Sequence, residues 1–427
     1  MVVVGSGGRE HALAAAMART AEVMVTPGNP GMSAAGVACH PGPPELLDAD
    51  LYVVGPEAPL VAGLADRLRA TGRMVLGPGA AGARLEGSKA WMKDLLAAAG
   101  VPTARHRSFT EPGPAIEWLR SLPAPWVVKT DGLAGGKGVL VTDDRGEAEA
   151  DVRAKLDGSR FGGAGRTVVV EEGLVGVELS LMALCDGERA VPLAPARDHK
   201  RLGDGDSGPN TGGMGAFSPV PGVGADLVEE IMTTAVRPTL AALAARGIDY
   251  RGVLYAGLML TSEGPRVIEY NVRFGDPEAQ VVLPRWEGDV AAALAAAAAG
   301  CLDDVEAPRF SADAAVCVVL AADGYPELPR SGDPLAALDP HLDGVSVFAA
   351  GVGGSAAAPV TAGGRVLGVT GVAPSLAVAR DLAYRGVDRL AWPGCRYRTD
   401  IAGVANVAAG HDHEDVGSSR PLRAADR

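Results

Sequence analysis

The stretch from Val127 to Val141, VVKTDGLAGGKGVLV, predicts two strands joined by a glycine-rich hairpin. Lys129 lies within the first apolar run and Lys137 lies in the loop. The loop is not a P-loop, because Gly138 stands where the usual hydroxyl residue would be and a strand follows it instead of a helix. Glycines let backbone N–H groups approach phosphate oxygens, so the hairpin suits a cover over a phosphate-bearing ligand, with Lys129 on the sheet face below. A flexible hairpin with two solvated lysines would give the same pattern.

A second segment, VIEYNVRFGDPE (267–278), predicts a strand whose polar face suits a metal ion. Alternate residues of a strand face the same side, so Glu269 and Asn271 project together. A carboxylate and an amide oxygen side by side suit Mg²⁺, which takes oxygen ligands and keeps waters or nucleotide phosphates as the others. Arg273 follows as a fork for phosphate or carboxylate, and Asp276 lies on the turn beyond it. The alternative is an exposed polar strand face.

A third segment, VVVEEGLVGVELS (168–180), predicts a strand that is interrupted after Glu171 and Glu172 and resumes near Glu178. In a nucleotide site such a break exposes backbone groups to an adenine edge, and a carboxylate such as Glu178 can bind ribose hydroxyls. An ordinary β-turn would give the same pattern, so this segment gains its meaning only beside the other two.

The first hundred residues alternate short apolar runs with helical patterns, which predicts βαβ units and a parallel sheet. In such sheets ligands lie at the carboxyl ends of the strands. The segments that follow the predicted strands are GSGGRE (5–10), PGNPG (27–31) and GPEAP (55–59).

The rest of the chain predicts further domains, so the fold class that we expect is a mixture of α/β and α+β domains. A polar, glycine-rich loop covers 196–219, and a loop of that length in a compact domain is uncommon unless it is functional. The expected parts are a parallel-sheet amino-terminal domain (1–101), a core (102–307) with a hairpin lid (about 112–175), a small β-rich carboxyl-terminal domain (308–410) and a disordered tail (411–427).

Composition and charge narrow the classes of partner. The chain has 427 residues, 47% of them apolar and 21% charged, as in globular proteins of several domains. Its net charge of −13 argues against a nucleic-acid or anionic-membrane partner. The five cysteines are scattered, the alanine-rich helix near residue 295 is too short to cross a bilayer, and a strand pattern begins at the second residue. We therefore expect a cytoplasmic protein, either a monomer or a weak dimer.

Taken together, and in this order, the segments resemble the ATP-grasp superfamily, in which two α+β lobes clamp ATP. Within it the chain is similar to the phosphoribosylamine–glycine ligase family, from residue 1 to about 410. The 196–219 loop and NVRFGDPE (271–278) are highly specific, whereas the amino-terminal glycine turn is not. The segments that carry the resemblance are GSGGREHALA, PGNPG, VVGPEAPL, LEGSKAWMKDLL, VVKTDGLAGGKGV, DHKRLGDGDSGPNTGGMGAFSP, GLMLTSEGPRVIEYNVRFGDPEAQ and GGRVLGVT.

The resemblance implies an ATP-grasp core and ligation of glycine to 5-phosphoribosylamine, with ATP as co-substrate and Mg²⁺ or Mn²⁺ as the metal. The products would be glycinamide ribonucleotide, ADP and phosphate, in de novo purine synthesis. A carboxylate is a poor acyl donor, so ATP would first convert glycine to an acyl phosphate that the amine then attacks. Catalysis of this kind needs neutralisation of charge and exclusion of water from the intermediate.

By the same resemblance each group of residues has an expected role. The residues that would contact ATP are Lys89, Lys129, Gly135, Gly136, Lys137, Glu171, Leu174 and Glu178. The catalytic residues would be Lys200, Arg273 and Asp276, of which the last two would also bind the carboxylate and amino group of glycine. Further substrate contacts would come from Gly8, Arg9, Glu10, Glu57, Asp198 and Asn210. The metal ligands would be Glu269 and Asn271. The family usually has an aromatic residue after its glutamate pair, where this chain has Gly173.

Three alternatives remain at this point. The nearest is another ATP-grasp carboxylate–amine ligase with a different acceptor. A dehydrogenase is suggested by Gly5 and Gly7 after the first strand, but its fingerprint requires a glycine where Glu10 stands. The third is a nucleotide-binding module without turnover, which the retention of Lys129, Glu269 and the other charged residues disfavours.

Overall fold

The computed structural model describes residues 1–135, 138–158, 166–335 and 338–403. Gly136 and Lys137, which the sequence assigns to the nucleotide site, lie outside the described residues, as does the predicted tail (411–427).

The amino-terminal region is a five-stranded parallel sheet with the strand order β3-β2-β1-β4-β5. Val3 is central, because it pairs with Val25 on one side and Val53 on the other. The predicted parallel sheet is therefore confirmed. Its strands are β1 (Val2–Gly5), β2 (Met24–Pro27), β3 (Ala38–Cys39), β4 (Tyr52–Val54) and β5 (Val75–Leu76). The helices of this region are α1 (Gly8–Met17), α2 (Pro30–Ala34), α3 (Glu57–Val61), α4 (Leu64–Ala70), α5 (Ala80–Gly87) and α6 (Lys89–Ala99).

A second, smaller unit contains the glycine hairpin and forms an antiparallel sheet with the order β6-β9-β7-β8. The strands on either side of the glycine loop pair directly, with Lys129 opposite Val139, as the hairpin pattern predicts. The elements are β6 (His106–Phe109), α7 (Pro112–Arg120), β7 (Trp126–Thr130), β8 (Val139–Thr142), α8 (Arg145–Leu156) and β9 (Val168–Glu172). Their apolar faces form a separate core of Ala115, Ile116, Leu119, Leu122, Val128, Ala148, Val152, Val168 and Val170. We call this unit the lid.

The remaining described strands form two larger sheets and three short pairs. The strands are β10 (Val177–Asp186), β11 (Ala190–Pro192), β12 (Arg197–Asp198), β13 (Arg201–Gly203), β14 (Ser207–Asn210), β15 (Gly215–Ser218), β16 (Arg251–Thr261), β17 (Gly264–Asn271), β18 (Trp286–Glu287), β19 (Arg309–Phe310), β20 (Ala314–Ala321), β21 (Val345–Ala349), β22 (Val352–Ser355), β23 (Ala358–Thr361) and β24 (Arg365–Ala373). The helices are α9 (Ala225–Ile231), α10 (Arg237–Ala244), α11 (Ala279–Val282), α12 (Val290–Ala299) and α13 (Leu376–Leu390).

The central sheet is antiparallel, with the order β11-β10-β16-β17, and it carries the predicted metal ligands on its edge strand β17. Gly257 of β16 pairs with Glu269, whereas its neighbour Leu258 pairs with Val267, so Ile268 is an extra residue in a β-bulge. A bulge twists a strand locally and changes the direction of the side chains beside it. The bulge lies directly before Glu269.

The carboxyl-terminal sheet has the order β12-β15-β20-β24-β21, with α13 against it, and so confirms a β-rich carboxyl-terminal part. It also contains β12 and β15, which lie within the 196–219 segment. That segment was expected to be a loop, but β15 pairs with β20 and β13 pairs with β14 in a small hairpin. The strands are only two to four residues long, which is too short for their alternation to be read in a glycine-rich sequence.

None of the helices within the described ranges is long and apolar enough to span a bilayer.

Candidate active site

The lid places Lys129 and Glu171 on adjacent strands, where their side chains meet. Lys129 Nζ lies 3.1 Å from Glu171 Oε2 and donates a second hydrogen bond to Ile268 O, also at 3.1 Å. Burial alone would raise the pKa of Glu171, but the ammonium groups of Lys129 and Lys93 hold it below its usual value. The other oxygen, Glu171 Oε1, is buried and has no hydrogen-bond partner among the described residues. It can therefore accept a hydrogen bond from a ligand.

The base of the glycine hairpin is fastened to the start of α6. Asp131, which follows β7, accepts hydrogen bonds through Oδ1 from Ser88 Oγ (2.9 Å) and Ala90 N (2.8 Å), and its carbonyl accepts one from Lys89 N (3.1 Å). Ser88 also caps the helix by accepting a hydrogen bond from Trp91 N. These bonds hold Lys89, the first residue of α6, beside the lid.

Glu269 on β17 is the centre of a ring of positive charge. Burial would raise the pKa of Glu269, but Lys200, Lys129 and Lys89 hold it below its usual value, so the group is an anion at neutral pH. Burial in turn lowers the pKa of Lys89, and the attraction of Glu269 opposes that shift. No described residue donates a hydrogen bond to the Glu269 carboxylate or forms an ion pair with it. Its oxygens are therefore available to a ligand.

Asn271 lies two residues beyond Glu269 and contacts Arg273, another residue predicted for the site. Its Oδ1 accepts a hydrogen bond of 3.3 Å from Arg273 Nη2. In the part of the chain that the structure describes, no three His, Cys, Asp or Glu side chains form a cluster able to hold a metal ion. A divalent ion at Glu269 and Asn271 would thus have one carboxylate and one amide oxygen from β17, and its other ligands would be water or phosphate.

Arg273 is fixed by two carboxylates from the amino-terminal region. Its guanidinium lies 2.7 Å from Glu86 Oε1 and 3.3 Å from Glu57 Oε2, and it also donates to Phe274 O. Glu86 accepts a further hydrogen bond from Val272 N at 2.9 Å. The two carboxylates raise the pKa of Arg273 despite its burial. The weaker of the two contacts, to the more exposed Glu57, is the one that a competing carboxylate would displace most easily.

Lys200 and Glu178 form a further ion pair of the site. Lys200 Nζ lies 2.9 Å from Glu178 Oε2, so two predicted residues that are 22 positions apart meet. Although burial opposes it, Glu178, Asp198 and Glu269 raise the pKa of Lys200, so the group keeps its charge. Burial raises the pKa of Asp198 to about 7, and Lys200 only partly opposes the shift.

Asp276 connects the site to the carboxyl-terminal sheet. It accepts a hydrogen bond from Gln280 Nε2 (2.8 Å) and pairs with Arg365 of β24 (3.3 Å). Arg365 also donates to the carbonyl oxygens of Asp276 (2.7 Å), Gly212 and Gly213 (3.3 Å). One arginine therefore connects the turn after β17 to the glycines that precede β15.

The start of α1 is built around Glu10, whose carboxylate is buried and accepts one hydrogen bond on each oxygen. Gly7 N donates to Glu10 Oε2 at 2.5 Å, and Arg9 Nε lies 2.6 Å from Oε1. A side chain on Gly5 or Gly55 would place its Cβ within 2.6 Å of Glu10 Cδ, so both positions need glycine. The glycines after β1 thus make room for a carboxylate, which is a different task from the close approach of a dinucleotide.

The other predicted residues lie around this cluster. Gly8 packs against Gln280, because a Cβ there would be 2.7 Å from Gln280 Nε2. Gly135 is exposed in the glycine loop, Leu174 is half-buried just after β9, and Asn210 pairs with Arg201 across the β13–β14 hairpin. No described contact joins these three residues to Glu269.

Three residues of the site were not predicted from the sequence: Lys93, Glu86 and Arg365. Lys93 could have been noticed, since it lies four positions after Lys89 and therefore on the same face of α6. Glu86 and Arg365 gave no local signal. Glu86 meets Arg273 across 187 positions of sequence, and Arg365 meets Gly212 across 153.

Comparison with known proteins assigns a family to this fold and site. The chain matches the models of three phosphoribosylglycinamide synthetase domains: the N domain over residues 1–86, the ATP-grasp (A) domain over 87–279 and the C domain over 315–404. It is 48% identical to a phosphoribosylamine–glycine ligase of Streptomyces coelicolor, over 95% of this chain and 99% of the relative. Its identity to the ligase of the same name from Rhizobium meliloti is also 48%, over 94% of this chain and 97% of the relative.

Solved structures agree with these relatives. The crystal structure of phosphoribosylamine–glycine ligase from Thermotoga maritima superposes with a TM-score of 0.84 at 36% identity, covering 94% of this chain and 99% of the other. The biotin carboxylase domain of the Hydrogenobacter thermophilus 2-oxoglutarate carboxylase, solved with MgADP and bicarbonate, superposes with a TM-score of 0.69 at 16% identity, covering 93% and 91%. The second likeness establishes the shared fold alone. With its three domain models in order and relatives that match nearly its whole length, the chain belongs to the phosphoribosylglycinamide synthetase family.

Proposed function

We propose that this protein joins glycine to 5-phosphoribosylamine at the expense of ATP, giving glycinamide ribonucleotide, ADP and phosphate. The observation that carries the proposal is the ring of Lys89, Lys129 and Lys200 around the unpaired carboxylate of Glu269. A ring of this kind suits a reaction in which a phosphoryl group moves between anions, because each reacting group is negatively charged.

ATP would lie between the lid and the central sheet. In this proposal Lys89 and Lys129 contact its phosphates, and the glycine loop that includes Gly135, Gly136 and Lys137 covers them. Glu171 and Leu174 would contact the adenine, and the unpartnered Glu171 Oε1 supports a contact with an N–H donor. Glu178 would bind the ribose hydroxyls, in exchange for part of its present pair with Lys200.

Glu269 and Asn271 would hold Mg²⁺ or Mn²⁺, since both provide oxygen ligands and the Glu269 carboxylate has no described partner. When bound, such an ion neutralises phosphate charge and orients the phosphoryl group for transfer.

Activation of glycine is the first chemical step. A glycine carboxylate oxygen forms a bond to the γ-phosphorus of ATP while the bond from that phosphorus to the β,γ-bridging oxygen breaks, so ADP leaves and glycyl phosphate remains. Arg273 would bind the glycine carboxylate by exchanging its 3.3 Å contact with Glu57, while Glu86 keeps the guanidinium in place. Asp276 would bind the glycine ammonium group, and Lys200 would lie beside the phosphoryl path.

Acyl transfer is the second step. The amino group of phosphoribosylamine forms a bond to the carbonyl carbon of glycyl phosphate, the C–O bond to phosphate breaks, and the amine loses one proton. The acceptor would approach from the amino-terminal domain, past Gly8, Arg9, Glu10 and Glu57. Asp198 and Asn210 would complete the substrate contacts. Closure of the lid would keep water from the acyl phosphate.

The experiment that tests the proposal is an ADP-release assay with glycine and phosphoribosylamine, supplied together and separately. Steady ADP release is expected only with both. Release with glycine and a different amine, but not with phosphoribosylamine, would instead assign the chain to a ligase with another acceptor. Binding of ATP without release under any condition would indicate a module without turnover.

A further inference from the structure

We propose that Lys93 is a positioning residue of the ATP site, which acts through Glu171 to fix the place of Lys129 and to leave its charge available to phosphate. The inference rests on the proposed function only in taking ATP as the ligand that Lys129 meets. Lys93 lies within the segment LEGSKAWMKDLL that carries the family resemblance, but the resemblance gave it no role.

Lys93 and Lys129 share one carboxylate oxygen. Lys93 Nζ lies 2.9 Å from Glu171 Oε2, and Lys129 Nζ lies 3.1 Å from the same atom. All three side chains are at most 3% exposed. One oxygen of Glu171 is thus shared by the two ammonium groups, and its second oxygen stays free of partners among the described residues.

The same two lysines also reach neighbouring carbonyl groups of β17. Lys129 donates directly to Ile268 O at 3.1 Å. Lys93 donates to Thr103 Oγ1 at 2.7 Å, and Thr103 Oγ1 donates to Val267 O at 2.6 Å. Ile268 is the bulged residue that immediately precedes Glu269, and Val267 comes directly before it. The lysines thus join α6, the lid and the central sheet at one point beside the proposed metal ligand.

The charge balance of this cluster gives Lys93 its role. Two ammonium groups and one carboxylate leave one net positive charge, whereas Lys129 and Glu171 alone would form a neutral pair. A neutral pair attracts a triphosphate less than a cluster with a net positive charge does. Burial of a lysine is costly and an apolar side chain of similar volume is often as stable, so a role in packing alone does not explain an ammonium group here.

Lys155 is another buried lysine of the lid, and it contacts lid residues. It lies on α8, is 1% exposed and forms an ion pair with Asp151, four positions earlier. It also donates to Val128 O at 3.0 Å. Lys155 has its own carboxylate and no described contact with Glu171, so it provides a matched control for loss of a buried lysine.

The test compares Lys93→Met with Lys155→Met in the full chain by steady-state kinetics. The KM for ATP of Lys93→Met should rise about tenfold or more, because removing one partner of a buried ionic cluster has large effects. A tenfold rise in the KM for ATP corresponds to about 1.4 kcal/mol. Because Lys93 acts only on the contact of Lys129 with ATP, the KM for glycine and kcat should each change less than about threefold. Lys155→Met should keep the KM for ATP within about twofold of wild type even if it melts earlier. Equal increases in the two variants would overturn the inference.

A cycle of Lys93→Met, Glu171→Gln and the double variant separates action through Glu171 from packing. Once Glu171 has lost its charge, removal of Lys93 should raise the KM for ATP by less than about threefold further. A role of Lys93 in filling space predicts the same tenfold rise in either background. If Lys93→Met does not fold, the comparison of Glu171→Gln with the double variant takes its place, and a further tenfold rise there would overturn the inference.

A direct measurement of ATP affinity distinguishes this inference from the proposed function. Calorimetric titration with ATP and Mg²⁺, without glycine or acceptor, should give the same tenfold loss of affinity for Lys93→Met and no loss for Lys155→Met. A wild-type chain that binds ATP but does not ligate glycine would remove the proposed function and leave this comparison intact. A wild-type chain that does not bind ATP would remove both.

Discussion

Glu269 is the residue on which the proposed chemistry depends most directly. A carboxylate that is partly shielded from water, as the half-buried Glu269 is, normally has a hydrogen-bonded or charged partner. Glu269 instead has three ammonium groups near it and no direct partner among the described residues. The arrangement keeps the carboxylate ionised and available, as a metal ligand requires.

Replacement of Glu269 by alanine should therefore abolish metal-dependent ADP formation while the protein stays folded. We expect a fall in kcat of at least about a hundredfold, comparable to the loss of a group that stabilises charge in a transition state. Circular dichroism would show whether the variant is folded, and the ADP-release assay would measure its turnover. Glu263→Ala provides a control on the same β16–β17 hairpin, because Glu263 is exposed and, among the described residues, forms an ion pair only with Arg266. Undiminished turnover of Glu269→Ala would refute the metal assignment.

Gly173 stands where the family usually has an aromatic residue, and its neighbour Pro125 leaves little room for a side chain there. Its N–H donates to Pro125 O at 2.7 Å, and a Cβ on Gly173 would lie 2.6 Å from that oxygen and in contact with the proline ring. Gly173→Ala should lower the free energy of unfolding by about 1–3 kcal/mol, as overpacking does elsewhere. Gly113 in α7 is a control within the same lid, because a Cβ there meets nothing within 4 Å. Denaturant unfolding of the two variants would measure the difference, and equal stability would show that Pro125 moves aside.

The alternation of β17 placed Glu269 and Asn271 together from sequence alone, since that rule needs only neighbouring residues. It could not give Glu86 as the partner of Arg273, because the two are 187 positions apart and only the packing of α5 against β17 unites them. It also could not give the bulge at Ile268, which is visible only in the register with β16. Local rules thus predicted which residues could react, and long-range packing decided which of them are already paired.

At the scale of elements, the lid is the part whose movement the proposed chemistry requires. Lys137 in its loop should become protected from proteolysis and from amine-modifying reagents when ATP and Mg²⁺ are added. All five other lysines of the chain, Lys89, Lys93, Lys129, Lys155 and Lys200, are buried or half-buried in the structure, so modification at Lys137 should be readily assigned by mass spectrometry. Equal reactivity with and without nucleotide would count against a loop that closes over ATP.

Helix α1 is joined to the carboxyl-terminal sheet through His11. Its Nδ1 accepts a hydrogen bond from Ala349 N at 2.9 Å, and its ring packs edge-on against Phe348. Burial lowers the pKa of His11 from 6.5 to about 4. Between these values the unfolded chain binds a proton that the folded chain does not, so the contribution of His11 to stability is complete above pH 6.5 and is lost as the pH falls toward 4.

The loss from this group should reach about 3 kcal/mol, since each unit of pKa difference corresponds to about 1.4 kcal/mol. His11→Gln keeps an acceptor for Ala349 N but cannot titrate. Unfolding free energies of wild type and His11→Gln, measured between pH 7.5 and 4.5, should fall more steeply for wild type. Parallel curves would show that the folded protein admits the proton at His11.

At the scale of the whole molecule, the sequence predicted the parallel amino-terminal sheet and the glycine hairpin well. The two strands of the hairpin are next to each other in sequence, and every neighbouring pair of the parallel sheet except β1 and β4 is joined by helices alone. In such units periodicity and turn residues carry the signal. The predicted boundary near 308 stays a prediction. The carboxyl-terminal sheet crosses it, because β15 pairs with β20 almost a hundred positions later. Such a pairing joins strands from distant segments, and the sequence of neither strand shows that the two pair.

This shared sheet has a consequence for how the protein can be divided. Truncation after β17 would strip β15 of its partner on one side and leave its backbone amides and carbonyls facing solvent. It would also remove Arg365 from the turn that carries Asp276. The carboxyl-terminal part therefore cannot be removed or exchanged without disturbing the part that carries the proposed site, because the two parts share one β-sheet.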